Sequence, residues 1–451
     1  MRHLESFTTK VFRLQAIAGA LTGCMLAIPP PVHALEDVPG ESQRDGRKKS
    51  PSRIKKTTGA FFDKSGFGLR SDDSANEIRV GGFLQTGWGS QDGSKNNSTV
   101  ETNAQHRALL TIDGKLGKTY SFRVAPNFGA TTGILDTYVD ANFTNLFKVR
   151  LGKFRVPFGL ERMQSATALG FNGRAFPSDL VPNRDIGIQI SGDMLKGVAE
   201  YQIGAFNGAV DNDAGLRHGG FNMNNDGVDF TGRVFFHPFK NSNLDALKGL
   251  GIGVAYSQGL QDGNKAADNS NLPVFRSPGQ QAFAAYAAGA FANGTRERIS
   301  PQLYYYNGPF GVLGEYVVSQ QEVTSGITTH RVTNDALQVQ LSWFVSNDKA
   351  TFRRMVPKTP FHWTPRSWGA VELVARYSEL NIDNDAFAAG LFNVNTSARR
   401  AENFGIGVNW HLNRHVKYQL NYDHTNFRHG AASGTDRPDE KALFTRLQIT
   451  F

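Results

Sequence analysis

Cysteine and long apolar runs are almost absent from this chain. Its 451 residues include one cysteine, Cys24, and the mean hydropathy is -0.37. A disulfide framework is therefore excluded, and after the N-terminus no stretch reaches the roughly 18 apolar residues that a membrane-spanning helix needs. These values fit a soluble protein. They also fit a transmembrane β-barrel, because each barrel strand is apolar on one face alone.

The N-terminus carries a predicted secretory signal over residues 1–34. Basic residues precede an apolar stretch from Leu14 to Ile28, and Val32-His33-Ala34 offers a cleavage site of small residues. An alternative is a lipoprotein box that ends at Cys24, in which Cys24 would be lipidated. The apolar run continues past Cys24, and this favours cleavage after Ala34, which removes the single cysteine.

A basic arm follows over residues 35–75. It is low in apolar content, and this composition predicts a disordered, solvated periplasmic arm. The alternative is a tether to anionic lipid or to the cell wall. The basic side chains crowd one part of it, at Arg44, Arg47, Lys48, Lys49, Arg53, Lys55 and Lys56.

The final residues, 441–451, alternate between apolar and mostly polar side chains, which indicates a strand with two unlike faces. A terminal strand of this kind that ends in Phe451 is typical of a bacterial outer-membrane barrel, with one face on lipid and the other on a wet lumen. One side carries Leu443, Thr445, Leu447, Ile449 and Phe451; the other carries Phe444, Arg446, Gln448 and Thr450.

Similar short segments recur from Glu77 to the C-terminus, separated by Gly, Asn, Asp and Pro. Short periplasmic turns should alternate with long outer loops, and the number of strands should be even. This rhythm holds if the Ala-rich segment Ala282–Phe291 belongs to a loop, and if one periplasmic connection, Ser346 to Trp368, is long. The predicted fold is all-β: a transmembrane antiparallel β-barrel of sixteen strands over residues 76–451.

A soluble β-sandwich is the alternative fold. Its apolar faces would have to be buried against each other. Aromatic residues near the strand ends favour lipid contact instead, because barrels place them at the membrane interfaces. They include Trp88, Tyr120, Phe143, Phe147, Trp343, Trp410, Tyr422 and Phe451.

Residues 152–183 form a long and unusually apolar connection. Long irregular loops are usually functional or disordered. An apolar loop should pack against something, and we expect this one to fold into the barrel and to narrow the channel. Its apolar side chains are Phe154, Val156, Phe158, Leu160, Met163, Leu169, Phe171 and Phe176.

Basic side chains in and beside this loop are candidates for an anion filter. Rings of arginine and lysine form anion pores, and the planar arginine fork suits phosphate. The alternative is that they pair with Glu161, Asp179 and Asp185 and only fix the loop. The loop candidates are Lys153, Arg155, Arg162, Arg174 and Arg184, and strand alternation adds Arg123, Lys148 and Arg150. A net charge of +9 usually suggests nucleic acid or membrane surfaces as partners, but export argues against nucleic acid. Much of the positive charge falls on predicted inward-facing positions, and this indicates an anionic solute.

The segment Gly152-Lys-Phe-Arg-Val-Pro-Phe-Gly-Leu-Glu-Arg-Met-Gln-Ser-Ala-Thr, followed by Leu180-Val-Pro-Asn-Arg-Asp-Ile-Gly-Ile-Gln, resembles the phosphate-selective porin O and P family. The similarity extends through Ser300 to Val317, through Gly369 to Ser378 and to the terminal strand, and covers about residues 77–451. The resemblance implies a trimeric sixteen-stranded porin with an inward third loop. It also implies an arginine ladder and a central lysine site that conduct phosphate or polyphosphate.

Motifs for catalysis, metal binding or cofactor binding do not stand out. His411 and His415 flank a short turn without a nearby third ligand, and no serine lies in a nucleophile elbow. Three functions remain: an outer-membrane anion porin for phosphate or a related oxyanion, a general or organic-acid diffusion channel, and a barrel enzyme. The expected partners are small anions, outer-membrane lipid and two further copies of the chain, with no cofactor.

Overall fold

The computed structural model describes residues 59–63, 66–92, 101–129, 132–211, 227–265, 270–363 and 367–451, and for 101–105 the backbone alone. The secretory signal, Cys24 and most of the basic arm lie outside these ranges. Within them, no helix combines the length and the apolar character that a membrane crossing requires.

Alternating sequence segments form antiparallel strands throughout the described chain. The strands are β1 (Gly59–Asp63), β2 (Gly66–Arg70), β3 (Glu77–Asp92), β4 (Glu101–Leu116), β5 (Tyr120–Asn127), β6 (Gly133–Asn142), β7 (Lys148–Arg155), β8 (Arg184–Met194), β9 (Ala199–Phe206), β10 (Asp229–Phe236), β11 (Leu250–Asp262), β12 (Val274–Arg276), β13 (Ala282–Ala285), β14 (Phe291–Asn307), β15 (Phe310–Ser325), β16 (Thr328–Phe344), β17 (Ala370–Asn381), β18 (Ala398–His411), β19 (Val416–His429) and β20 (Glu440–Thr450).

A sixteen-stranded barrel results from the pairing of β3 to β11 and β14 to β20 with their neighbours. The last strand closes the barrel on the first, from Lys441 opposite Asp92 to Thr450 opposite Phe83. The predicted fold class and strand number are confirmed. The segment Ala282–Phe291 adds no separate wall strand: β12 and β13 pair in a small sheet of their own, and Phe291 already opens β14.

The end of the basic arm is ordered, and here the structure differs from the prediction. Strands β1 and β2 form a hairpin, and β2 pairs with β3 from Phe67 opposite Val80 to Arg70 opposite Glu77. The backbone hydrogen bonds that β3 offers at this end stabilise the added strand. The ring of Phe61 also lies 4.6 Å from the guanidinium of Arg70.

The wall has two unlike faces. On β20, Phe444, Arg446 and Gln448 are buried on the lumen side, whereas the outward Leu443 is 49% exposed. This pattern is what an apolar lipid face and a polar lumen face require. The terminal Phe451 is fixed by reciprocal backbone hydrogen bonds with Gly82 on β3.

The main hydrophobic core lies where the connection between β7 and β8 meets the outer loops. This connection contains a short helix, Leu160–Met163, and a 3-10 turn, Phe176–Asp179. Its Phe158, Phe176 and Leu180 belong to one buried cluster with Phe275, Phe283 and Phe392 of other outer loops. Further helical turns are Leu195–Gly197, Asp245–Leu247, Asn384–Ala388 and Ala432–Gly434.

Candidate functional site

The apolar loop, residues 152–183, is attached to lumen-facing side chains of the wall. Glu315 on β15 accepts hydrogen bonds from the backbone N–H groups of Leu160, at 2.5 Å, and Glu161, at 3.2 Å. Gln302 on β14 donates to the carbonyl of Phe158. A buried carboxylate thus satisfies the free N–H groups at the start of the short helix, where negative charge is favoured.

Three lumen-facing cations of the later strands also hold the loop. Arg376 donates to the carbonyl oxygen of Gly173 at 2.9 Å, and its guanidinium lies 4.2 Å from the ring centre of Phe171. Lys417 donates to the carbonyl of Leu169 at 3.0 Å, and Arg446 donates to that of Asn172 at 3.0 Å. These cations are buried beneath the loop, so they act as its anchors.

Within the loop, the side chain of Glu161 stabilises the backbone conformation by hydrogen bonds. Its carboxylate accepts from the backbone N–H of Ala175 at 2.9 Å and from the hydroxyl of Ser178 at 3.0 Å. Arg162 donates to the carbonyl of Ser178 at 2.7 Å. Burial lowers the pKa of the Arg162 guanidinium to about 10, so the side chain stays charged at neutral pH. The loop therefore keeps a compact shape of its own.

A cavity of about 1160 Å³ lies between this loop and the wall from β3 to β9. Its lining contains five carboxylate residues, Glu77, Asp113, Asp136, Asp140 and Asp179, and one lysine, Lys115. The lining is strongly positive because ten arginines outnumber these acids: Arg79, Arg107, Arg123, Arg150, Arg155, Arg162, Arg174, Arg184, Arg276 and Arg354.

Three of the wall arginines are neutralised by carboxylates in two-pronged pairs. Arg123 binds Asp113 at 2.6 and 3.0 Å. Arg150 binds Asp140 at 2.6 and 2.9 Å. Arg184 binds Asp136 at 2.7 and 3.4 Å. Such pairs fix the guanidinium planes but leave little net charge at each position.

The loop arginines Arg155 and Arg174 are different, because they contact backbone carbonyls. Both donate to the carbonyl oxygen of Gln164, at 2.7 and 3.1 Å, and each donates to one further loop carbonyl. Among the described residues, no carboxylate lies within 4.0 Å of either guanidinium. Burial and the neighbouring charge of Arg162 lower the pKa of Arg174 to about 9, which leaves it protonated at neutral pH.

Asp179 is the acid that the loop itself brings to the cavity. Its carboxylate accepts from the backbone N–H of Arg276 at 3.2 Å, and this bond joins the loop to the outer connection that contains β12. Burial raises the pKa of Asp179 to about 7, against the opposing effects of this hydrogen bond and of Arg162. Its charge therefore changes near neutral pH.

Six of the eight predicted site residues line the cavity: Arg123, Arg150, Arg155, Arg162, Arg174 and Arg184. Lys153 does not, because it lies opposite Ile186 on β8 and shares the outer face with Ile188 and Ile190. Lys148 lies at the periplasmic end of β7 and pairs with Asp193 at 2.7 Å. The structure thus separates the predicted lysines from the predicted arginines.

Sequence reasoning missed other cavity arginines, chiefly Arg107 on β4. Its alternation with Ala108 marked an inward position, yet nothing in the sequence gave its depth. In the described part of the chain, Arg107 has no hydrogen-bond or ion-pair partner and lies in the field of Arg184 and Arg174. Arg276 ends the short strand β12 of an outer connection and Arg354 lies in the connection between β16 and β17, so the alternation of the wall strands does not mark them.

A separate cluster of buried charges outside the cavity consists of arginines paired with aspartates. Arg298 binds Asp211 at 2.5 Å and Asp229 at 3.2 Å, and Arg296 binds the same Asp229 at 2.7 Å. This buried network fixes the start of the connection after β9. The described chain contains no group of three or more His, Cys, Asp or Glu side chains that could hold a metal ion.

Comparison with known proteins agrees with this architecture. The pattern of the phosphate-selective porin O and P family matches residues 78–451. Porin O of Pseudomonas aeruginosa is 22% identical over 424 residues, covering 86% of this chain and 91% of that protein. The outer membrane channel DcaP of Acinetobacter baumannii superposes with a TM-score of 0.54 at 10% identity, covering 86% of this chain and 100% of that one.

A loop L8 deletion mutant of OmpT, an outer membrane protein of Vibrio cholerae, gives a TM-score of 0.50 at 11% identity, covering 83% of this chain and 99% of that one. The two structures support the barrel fold, and the family pattern covers most of the chain. The protein is therefore a porin of the bacterial outer membrane, a channel and not an enzyme, and it belongs to the phosphate-selective porin O and P family.

Proposed function

We propose that this porin conducts small oxyanions, with phosphate preferred, through the arginine-lined cavity, and that the loop over residues 152–183 narrows the pore there. The positions of Arg155 and Arg174 carry this proposal. Two guanidiniums converge on one carbonyl oxygen, and no carboxylate of the described chain lies within 4.0 Å of them. An anion entering the cavity supplies the negative charge that these groups lack.

The chemistry of the side chains favours an oxyanion. A guanidinium presents parallel N–H donors that match two oxygens of phosphate, whereas a lysine acts as a point charge. Arg107 and Arg162 line the same cavity and extend its positive surface, and both lie close enough to Arg174 to act on its charge. Several moderate sites in sequence let an ion enter without trapping it.

The anion-contacting residues that we propose are Arg155 and Arg174, with Arg107, Arg162 and the carboxylate-paired Arg123, Arg150 and Arg184 as flanking positions. Lys148 and Lys153 are left out, because one is paired at the periplasmic end and the other lies on the outer face.

An organic-acid channel is the second candidate, and the mixed character of the lining favours it. Leu109, Tyr138 and Phe154 lie among the arginines, and the ring of Tyr138 lies 3.9 Å from the guanidinium of Arg150. Such a surface can hold the carbon skeleton of a carboxylate as well as its charge.

Recordings in planar lipid bilayers separate the candidates. In a potassium chloride gradient we expect a reversal potential that favours chloride, and we expect added phosphate to reduce the chloride current. Stronger inhibition by organic carboxylates than by phosphate would favour the second candidate. A reversal potential that favours potassium would contradict both.

We also propose a homotrimer, as the family resemblance implies, with one such cavity in each subunit. Native mass spectrometry of the detergent-purified protein tests this. A single species at the mass of one chain would contradict it.

A further inference from the structure

The long periplasmic connection between β16 and β17 begins inside the barrel. The ring of Phe352 stacks on Tyr304 of β14 with 5.2 Å between ring centres. The carbonyl of Phe352 accepts a hydrogen bond from Gln164 of the loop at 2.9 Å. Nearby, Ala350 and Met355 pack in a buried cluster with Phe344. This part of the connection therefore lies in the lumen, beneath the loop.

The same connection then crosses to the outer side of the wall. The backbone N–H of Phe361 donates to the carbonyl of Leu412 at 2.6 Å, and its ring lies 5.4 Å from that of Trp410. Trp410 is on the outward face of β18, together with Phe404 and Ile406. Contact with an outward side chain places Phe361 outside the barrel.

Two further tryptophans extend this outer cluster. Trp363 packs edge-on against Phe361 at 5.4 Å, and the carbonyl of Trp368 accepts from the indole N–H of Trp410 at 2.6 Å. Trp363 is 96% exposed and Trp368 is 64% exposed. Side chains with this much apolar surface are rarely left in water together without a partner.

The partner that fits is the membrane itself. The cluster is continuous with the lipid-facing side chains of β18, and it lies at the periplasmic end of that strand. Tryptophan prefers the boundary between headgroups and acyl chains, where its ring is apolar and its N–H is wet.

We propose that Phe361, Trp363 and Trp368 dock onto the periplasmic leaflet of the outer membrane, at the boundary between phospholipid headgroups and acyl chains. The connection thus spans the barrel rim, with Phe352 in the lumen and Trp363 in the lipid. This inference rests on the membership in an outer-membrane porin family and on the contacts above. It does not depend on which solute the channel conducts.

Tryptophan fluorescence in lipid vesicles tests the proposal. The chain has five tryptophans, so four can be replaced by Phe to leave Trp363 alone. In vesicles of phosphatidylcholine brominated near the headgroup end of the acyl chains, we expect the Trp363 signal to fall about twofold relative to unbrominated lipid. Bromines near the ends of the acyl chains should quench it less.

A matched control comes from the same connection. With Phe352→Trp in a tryptophan-free background, the ring sits in the lumen and brominated lipid should leave its signal unchanged. Both variants must first form channels with normal conductance, which shows that they fold. If brominated lipid fails to quench Trp363, the proposal is wrong, whether acrylamide quenches it from water or a second copy shields it from both quenchers.

Discussion

Neutralising Arg155 and Arg174 together, with Gln at both positions, should weaken phosphate binding in the pore. Glutamine keeps a side-chain donor for the carbonyl of Gln164, which both arginines contact, but removes the two charges. The backbone of the loop stays attached through Glu315 and Lys417. The change therefore acts on the electrostatics of the cavity more than on the shape of the loop.

The size of the effect follows from Coulomb's law. A unit charge about 4 Å from an anion contributes ~1 kcal/mol in bulk water and ~4 kcal/mol at an effective dielectric constant of about 20. A porin lumen is wet, so we take the lower value for each arginine, or ~2 kcal/mol for the pair. Since about 1.4 kcal/mol is a tenfold change, the phosphate concentration that halves the chloride current should rise ~30-fold.

The assay is chloride current through single channels with phosphate titrated into both chambers. Lys153→Gln is the matched control, because it removes a charge two residues from Arg155 but on the outer face. That variant should keep the phosphate sensitivity of the natural protein. If the double variant also keeps it, or if Lys153→Gln loses as much, the assignment of the cavity arginines as the anion site is refuted.

Three further predictions concern the loop. Glu315→Gln replaces a charged acceptor of two backbone N–H groups by a neutral one. A hydrogen bond to a charged group contributes ~1.5–3 kcal/mol to stability, so the loop should be held less firmly. We expect noisier single-channel currents, while the temperature at which the barrel unfolds on gels stays unchanged. Lys417→Met removes one of the two side-chain donors to the carbonyl of Leu169 and leaves Gln419 as the other, so channel noise should rise here too, with phosphate sensitivity intact. A ~10-fold loss of sensitivity would instead place Lys417 in the pore. Burial raises the pKa of Asp179 to about 7, and protonation removes its negative charge from the cavity, so anion preference in reversal potentials should increase from about pH 8 to about pH 6. The increase should be smaller in Asp179→Asn, and a decrease on acidification would contradict this.

The barrel could be predicted from the sequence because lipid and water impose period two on every strand. The terminal strand follows from that constraint. The even strand number and the alternation of short turns with long loops then give the sixteen strands and keep Ala282 to Ala290 out of the wall, although Phe291 belongs to β14. The β1–β2 hairpin was missed although Phe67 and Leu69 alternate there with Gly68 and Arg70. Its neighbouring basic residues dominate the local composition and hide the short pattern.

The site was less predictable, because alternation gives the face of a side chain but not what covers it. Arg376, Lys417 and Arg446 face inward, yet the loop lies over them and accepts their hydrogen bonds. Arg107 also faces inward, but its side chain lines the open cavity. The difference depends on where a loop distant in sequence comes to rest, which no local pattern records.

The arginine-lined cavity is bounded by only part of the barrel wall. Among the described lining residues, none comes from β14 to β19; the lining belongs to β3 to β9, the end of β20 and the loops. The strands on the other side of the barrel hold the loop, for example through the hydrogen bonds of Glu315 and Arg376 with its backbone. Under the proposed function, the number of strands sets how large a loop the barrel can hold, and the space that the loop leaves free determines the conductance. Shortening the loop should widen this passage without any change to the wall.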